Sequence, residues 1–349
     1  MVAPNPIHYD ISYKIETRSA LTKTVALELQ RSVAAFVALQ DARCEIELLY
    51  QGVVMCIHRM LTAIRKCEAA GMEPREIRDQ LMPARILHHS SSFVARAQDW
   101  PRGYQGDFET IEYLCDGHNL VNVEDAVGYC IEEYTLNSRI CQQHRNKVHL
   151  QADVILECCQ ANKASRVLSL GCGGARDLRM VGSLLENTDA EFVLCDSDAD
   201  ALEFARHHLG SLADRTRFVH GKVPRVVTRL KSLGKFDLVV AGGLFDYLPD
   251  RWIELMLSEI FGHLLNQNGQ LFFTNIAFDN PYRVWMEYLA DWSLIERSEE
   301  DIGRLCRNAG IDDGAISITR DETNLALITS VRKSAPTRGD LPMIFVEVK

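Results

Sequence analysis

Apolar positions in the first part of the chain recur at steps of three and four residues. Between Leu21 and Gln40 they are Val25, Leu29, Val33, Phe36 and Val37; the next set is Ile46, Leu49, Val53, Ile57, Met60 and Ile64. This spacing puts each set on one helical stripe. The stripes read as the core of a helical bundle, with a groove for a partner or an acyl chain as the alternative. A third helix opens at Glu73-Pro74-Arg75-Glu76, with proline and acids in its first turn. Residues 1–20 read as an irregular arm. From Val123 to Cys159 the pattern is helical again but polar and aromatic, with Tyr129, Glu132, Glu133, Tyr134, Asn137, Arg139, Gln142, His144 and Arg145. Those side chains face a substrate or form a solvated surface, and His144 reads as a surface histidine.

Near residue 165 the pattern changes to short apolar runs separated by helical stretches. Val167, Leu168 and Leu170 stop at Gly171, with Gly173 and Gly174 close behind, and Leu178, Val181, Leu184 and Leu185 follow at helical spacing. A second run, Phe192 to Leu194, ends at Asp196. Glycines after a strand let the backbone turn sharply and aim its N–H groups, at the positive end of a helix, toward a ligand. An acid ending the next strand accepts both hydroxyls of a ribose. The unit predicts a nucleoside-containing cofactor.

Further strands follow in order. The third ends at Phe218-Val219-His220-Gly221-Lys222-Val223. The fourth, Phe236 to Val240, opens into Ala241-Gly242-Gly243-Leu244-Phe245-Asp246-Tyr247-Leu248, and a helix from Trp252 to Leu265 precedes the fifth, Gly269 to Asn275. Ala315–Thr319 and Leu325–Val331 read as two strands around a turn at Asp321 to Asn324. The segment after Val331 reads as a tether, in which Met343 to Val348 is a candidate edge strand or a seal against a neighbouring copy.

Charge narrows the partners. Lys plus Arg is 38 against 48 for Asp plus Glu, a formal charge of −10. Such a chain lacks the clustered cations that phosphate neutralisation requires, so nucleic acid is not expected and a small-molecule or carrier-bound substrate is. No basic segment followed by an apolar stretch opens the sequence, and no apolar run approaches about 18 residues, so a cytoplasmic protein without a membrane span is expected. The eleven Cys are scattered without a C-x-x-C pair. They read as small buried residues of a reducing compartment, and no metal is expected.

Arg176 occupies the place of the third glycine in G-x-G-x-x-G, which argues against a pyrophosphate cofactor. The loop G-C-G-G-A-R-D and the matched strand ends from Ser165 to Lys333 instead resemble the class I S-adenosylmethionine (SAM) methyltransferases. That resemblance implies an α/β fold: a Rossmann-like seven-stranded sheet with its last pair antiparallel. Residues 151–333 would form it, with an all-α N-terminal lid over residues 1–150 and a tail over 334–349. Two positions depart from the family pattern: Ser169 stands where an acid often precedes the first glycine, and Gly221-Lys222 where an acid follows the third strand. Three further blocks, Arg102 to Glu109, Gly243 to Leu248 and Asn280 to Arg297, resemble a narrower bacterial group. It includes the 3-hydroxypalmitic acid methyl ester synthases and the SAM cyclases that form azetidine-2-carboxylate.

The resemblance implies SAM contacts from Tyr104, Asp107, Gly171, Cys172, Gly173, Asp196, Ser197, Gly221, Lys222, Val223, Gly242, Gly243, Leu244 and Tyr247. Asn137, Tyr104 and Asp246 are the candidate catalytic residues. Each of these last has an ordinary alternative: packing for Tyr104, a solvent-facing helix position for Asn137, and capping of the helix after Pro249-Asp250 for Asp246. Asp107 is equally an N-cap for the run beginning at Phe108, and Trp285, Met286, Tyr288 and Trp292 read as core. The activity implied is methyl transfer to a small or carrier-bound acid or amine in small-molecule secondary metabolism. The alternative is cyclisation of SAM with release of methylthioadenosine, in which Tyr104, Tyr134, Phe245 and Tyr247 offer faces to the sulfonium. A SAM-binding regulator without catalysis is the third reading.

Overall fold

The computed structural model describes residues 11–334. The described residues begin with seven α-helices: α1 (Ile11–Val37), α2 (Ile46–Ala69), α3 (Pro74–His88), α4 (Ser92–Asp99), α5 (Phe108–Asp116), α6 (Ala126–Leu136) and α7 (Arg139–Ala161). Strands and helices then alternate as β1 (Arg166–Leu170), α8 (Arg176–Val181), β2 (Glu191–Asp196), α9 (Ala199–His208), β3 (Thr216–His220), α10 (Val223–Lys231), β4 (Phe236–Ala241), α11 (Asp250–Glu259) and β5 (Leu265–Ile276). After α12 (Arg283–Leu289) and α13 (Glu299–Asn308) the hairpin β6 (Ile316–Arg320) and β7 (Ala326–Arg332) closes the fold. Helix α1 starts at Ile11, so residues 11–20 are helical and not an irregular arm. Residues 1–10 and the expected Met343 to Val348 strand lie outside the described residues.

Two compact units result, each assembled from separated stretches. The first holds residues 11–106, 117–138 and 281–293; the second holds 107–116, 139–280 and 294–334. In the helical unit the sequence stripes become core: Leu29, Phe36, Val53, Ile57, Met60 and Ile64 are all fully buried. Trp285, Met286, Tyr288 and Trp292 are buried with them. Glu132 is also buried; it accepts hydrogen bonds from the Ser91 hydroxyl and the Phe93 N–H at the start of α4. A carboxylate there satisfies donors that the first helical turn leaves free.

The second unit is a seven-stranded sheet of order β3-β2-β1-β4-β5-β7-β6, parallel through β5 and antiparallel at β7 and β6. Strand alternation divides its core. Leu168, Leu170 and Val239 pack with Ile253, Leu257 and Leu305 of α11 and α13. Val167, Leu238 and Val240 pack with Ile155 and Cys159 of α7 and with Leu178 of α8 on the other face. The order reverses between β1 and β4, which opens a crevice at their carboxyl ends. Helix α11 runs into a π-helical turn over Ile260–Leu264, and β5 starts at Leu265, earlier than the apolar run alone suggests.

Candidate functional site

The crevice is built first by the loop after β1. Gly171 and Gly173 adopt φ of 63° and 51°, a region that side-chain-bearing residues enter at a cost. Both turns are needed to fold the loop back on β2: the N–H groups of Gly171 and Cys172 donate to the Cys195 carbonyl at 2.8 and 3.2 Å. The Gly173 N–H donates to Asp196 Oδ2 at 2.8 Å, and the Asp198 N–H donates to Oδ1 at 2.9 Å. Burial pushes the Asp196 carboxyl above its ordinary value, against the pull of these donors. Each carboxylate oxygen has two lone pairs, so acceptor capacity is left for a ligand. The end of β3 joins the same edge, because the Gly221 N–H donates to the Asp196 carbonyl at 2.8 Å. His220 Nε2 lies 3.1 Å from the Ser197 carbonyl, while Lys222 is exposed and Val223 is buried at the start of α10.

Helix α5 covers the glycine loop. A Cβ on Gly173 would lie 3.4 Å from Phe108 Cβ. Glu112 binds Arg176 at 2.8 Å and also Arg179, while Asp116 binds Arg176 at 2.7 Å. Arg176, at the third-glycine position, therefore serves as an anchor for α5. Asp107 caps that helix: its Oδ1 accepts the Thr110 N–H at 3.0 Å and its Oδ2 the Thr110 hydroxyl at 2.9 Å.

At the end of β4 the chain passes under α7. Gly242 leaves room for Gln151, whose Oε1 would stand 2.1 Å from a Cβ there. The Gly243 N–H donates to Thr274 Oγ1 at 3.0 Å, and Leu244 lies 3.3 Å from where a Gly171 Cβ would be, so the β1 and β4 loops touch. Asp246 is 1 % exposed; its Oδ2 is 3.0 Å from Lys147 Nζ and its Oδ1 accepts the Ile276 N–H at 2.6 Å. It caps no helix: α11 begins at Asp250 after Pro249, with no side-chain cap. Phe245 is fully buried, its ring 5.0 Å from that of Phe273, and Tyr247 is partly exposed.

Buried Arg297 holds this loop in place. It donates to the carbonyls of Phe245 and Leu248 at 2.9 and 2.7 Å and to Asn275 Oδ1 at 2.8 Å, and it pairs with Asp250 at 2.8 Å. Neither Arg297 nor Lys147 stands out in the sequence as a site residue. For Lys147 the available signal is its spacing from Gln143 and Gln151, four residues either side on one helical face.

Three candidates sit in the helical unit. Tyr104 is 39 % exposed. Asn137 ends α6, and its Nδ2 donates to the Glu133 carbonyl and to Glu133 Oε2 at 2.9 and 3.0 Å. Tyr134 is buried beside His58, with its hydroxyl unpartnered among the described residues and its phenol pushed up by burial. The solvated-face reading of this stretch holds for Asn137, Arg139 and Gln142, which are exposed, and fails for Glu132, Tyr134 and His144, which are buried, as are Gln143 and Lys147 beside them. His144 is no surface histidine, and burial together with Lys147 and Arg145 holds its pKa well below the ordinary value.

The eleven cysteines are all free, and no metal-binding cluster occurs among the described residues. No described helix is long and apolar enough to cross a membrane.

Comparison with known proteins places these observations. Residues 168–271 match a family described as a methyltransferase domain. No curated protein matches the sequence. Among solved structures, a possible exported protein from Bordetella parapertussis shares the fold at 13 % identity and a TM-score of 0.54, covering 91 % of this chain and 97 % of its own. A magnesium protoporphyrin IX methyltransferase from Synechocystis PCC 6803, solved with bound SAH, matches at 14 % identity and 0.42 over 56 % of this chain and 88 % of its own. Human N-acetylserotonin methyltransferase, in complex with SAM, matches at 14 % and 0.40 over 95 % and 100 %. Residues 168–271 thus match a methyltransferase domain, and the sheet order is that of the class I methyltransferase fold.

Proposed function

We propose that the protein transfers a methyl group from SAM to a small or carrier-bound acceptor, and that the acceptor's nucleophile is a carboxylate. The observation that carries the cofactor half is the 2.8 Å hydrogen bond from Gly173 to Asp196, which joins glycine loop and acid beside the β1–β4 crevice. Asp196 would take the ribose hydroxyls, the backbone at Gly171 to Gly173 the space beside the sugar and chain, and Gly242-Gly243 the passage of the methionine part.

The acceptor half rests on proton chemistry. Displacement at the methyl carbon needs the nucleophile aligned behind it, and an amine or hydroxyl must also lose a proton. Near the end of β4 the candidate bases are engaged or weak. Asp246 is tied to Lys147 and Ile276, and His144 is held neutral with a depressed basicity. A carboxylate acceptor arrives already ionised and needs no base.

The test is incubation of purified protein with SAM, alone and with a panel of straight-chain and 3-hydroxy fatty acids, followed by mass spectrometry. S-adenosylhomocysteine and methyl ester formed together, only with an acid present, support the reading. Methylthioadenosine and azetidine-2-carboxylate from SAM alone would replace it with cyclisation. Tight S-adenosylhomocysteine binding with no product from any acceptor class would replace it with a regulatory role.

A further inference from the structure

One face of α7 changes character along its length. Ile155 and Cys159 belong to the apolar layer against β1 and β4. Continuing toward the N-terminus in steps of four, the same face carries Gln151, Lys147 and Gln143, all buried. The switch from apolar to polar comes where Gln151 crosses Gly242, at the carboxyl end of β4. A helix that only covered a sheet would stay apolar along this stripe.

Two further facts mark the polar part as built for a ligand. Gln143 is fully buried, yet neither its Nε2 nor its Oε1 has a hydrogen-bond partner among the described residues. A buried amide without partners is costly in the free protein. Lys147 Nζ, bound to Asp246, is 3.8 Å from where a Cβ on Gly243 would be, so a cationic donor borders the open backbone of that glycine. In addition, Ser169 shares the α7-facing side of the sheet with Val167 and pairs in register with Val240. Ser169 stands where the resemblance to the class I methyltransferases implies an acid, so no carboxylate is offered to the methionine amine from this strand.

We infer that the α7 stripe replaces it: Lys147 and Gln143 bind the amino-acid end of SAM. Lys147 meets the carboxylate. Gln143 donates from Nε2 to that carboxylate and accepts at Oε1 from the ammonium, so a zwitterion satisfies both halves of the amide at once. This assignment rests on the SAM site proposed above and adds the residues that read its methionine portion.

Two nucleosides separate the assignment from the site itself. S-adenosylhomocysteine carries the α-amino acid, and 5′-methylthioadenosine lacks it. Calorimetry with wild type, Gln143→Leu and Lys147→Met measures both. The expected result is at least a tenfold loss of S-adenosylhomocysteine affinity in each variant, with methylthioadenosine affinity within about threefold of wild type. Gln143→Leu also removes an unsatisfied buried amide, so its thermal midpoint should equal or exceed that of wild type while binding falls. That combination keeps the test sharp even if Lys147→Met folds poorly. Equal losses for both nucleosides, or unchanged S-adenosylhomocysteine binding in Gln143→Leu, overturn the assignment. Wild-type protein that binds neither nucleoside overturns the SAM site instead.

Discussion

Lys147 and Asp246 form an ion pair of 3.0 Å with side chains 4 % and 1 % exposed. The pair spans ninety-nine positions of sequence and joins α7 to the loop after β4. Taking both charges out of water is expensive, and their attraction offsets that only while both are present. Asp246→Ala should therefore destabilise the protein by about 3–5 kcal/mol, because it leaves a buried ammonium and strips the Ile276 N–H of its acceptor. Replacing both residues, as Lys147→Met with Asp246→Leu, should cost less than Asp246→Ala alone. Urea unfolding of the three proteins decides it, and a double variant weaker than the single would refute the desolvation argument.

Asp196 is the second test. Hydrogen bonds to a charged acceptor are worth about 1.5–3 kcal/mol, so Asp196→Ala should weaken S-adenosylhomocysteine binding by roughly 10- to 150-fold. Asp196→Asn keeps one oxygen for the Gly173 N–H and should lose less. Calorimetry on Asp196→Ala that returned wild-type affinity would remove the ribose assignment.

The sheet was legible because its signals are local. Apolar runs that stop at Gly171, Asp196, Gly221 and Gly242 mark the strand ends on which a ligand rests, and all four fall just beyond or at the ends of β1 to β4. The helical stripes were legible for the same reason. What could not be read was long-range pairing. Arg297 and Lys147 acquire meaning only when the fold brings Phe245 and Asp246 to them. His144 misled for a related reason: a polar helix looks solvated until its packing is known, and here four of its polar residues are buried. The block from Arg102 to Glu109 reads as one motif, yet its last residues open α5 on the sheet unit while Arg102 to Gly106 belong to the helical unit.

Asp177 supplies a prediction whose sign depends on burial. It stands in the first turn of α8, where the helix dipole and the Leu178 N–H at 2.8 Å both favour the anion. Desolvation outweighs them and raises its pKa from 3.8 to about 6. The folded state then holds this proton more tightly than the unfolded chain does. The resulting stability is fully present below the unfolded value near 3.8 and is lost as pH rises through about 6. Asp177→Asn keeps the oxygen that accepts from Leu178 but does not titrate. Its stability relative to wild type should climb between pH 4 and pH 7 by on the order of 2–3 kcal/mol. Urea midpoints for both proteins at four pH values across that window measure the difference directly. A gap that stays constant with pH would mean that the Asp177 carboxyl titrates normally, and that the start of α8 is open to water in solution.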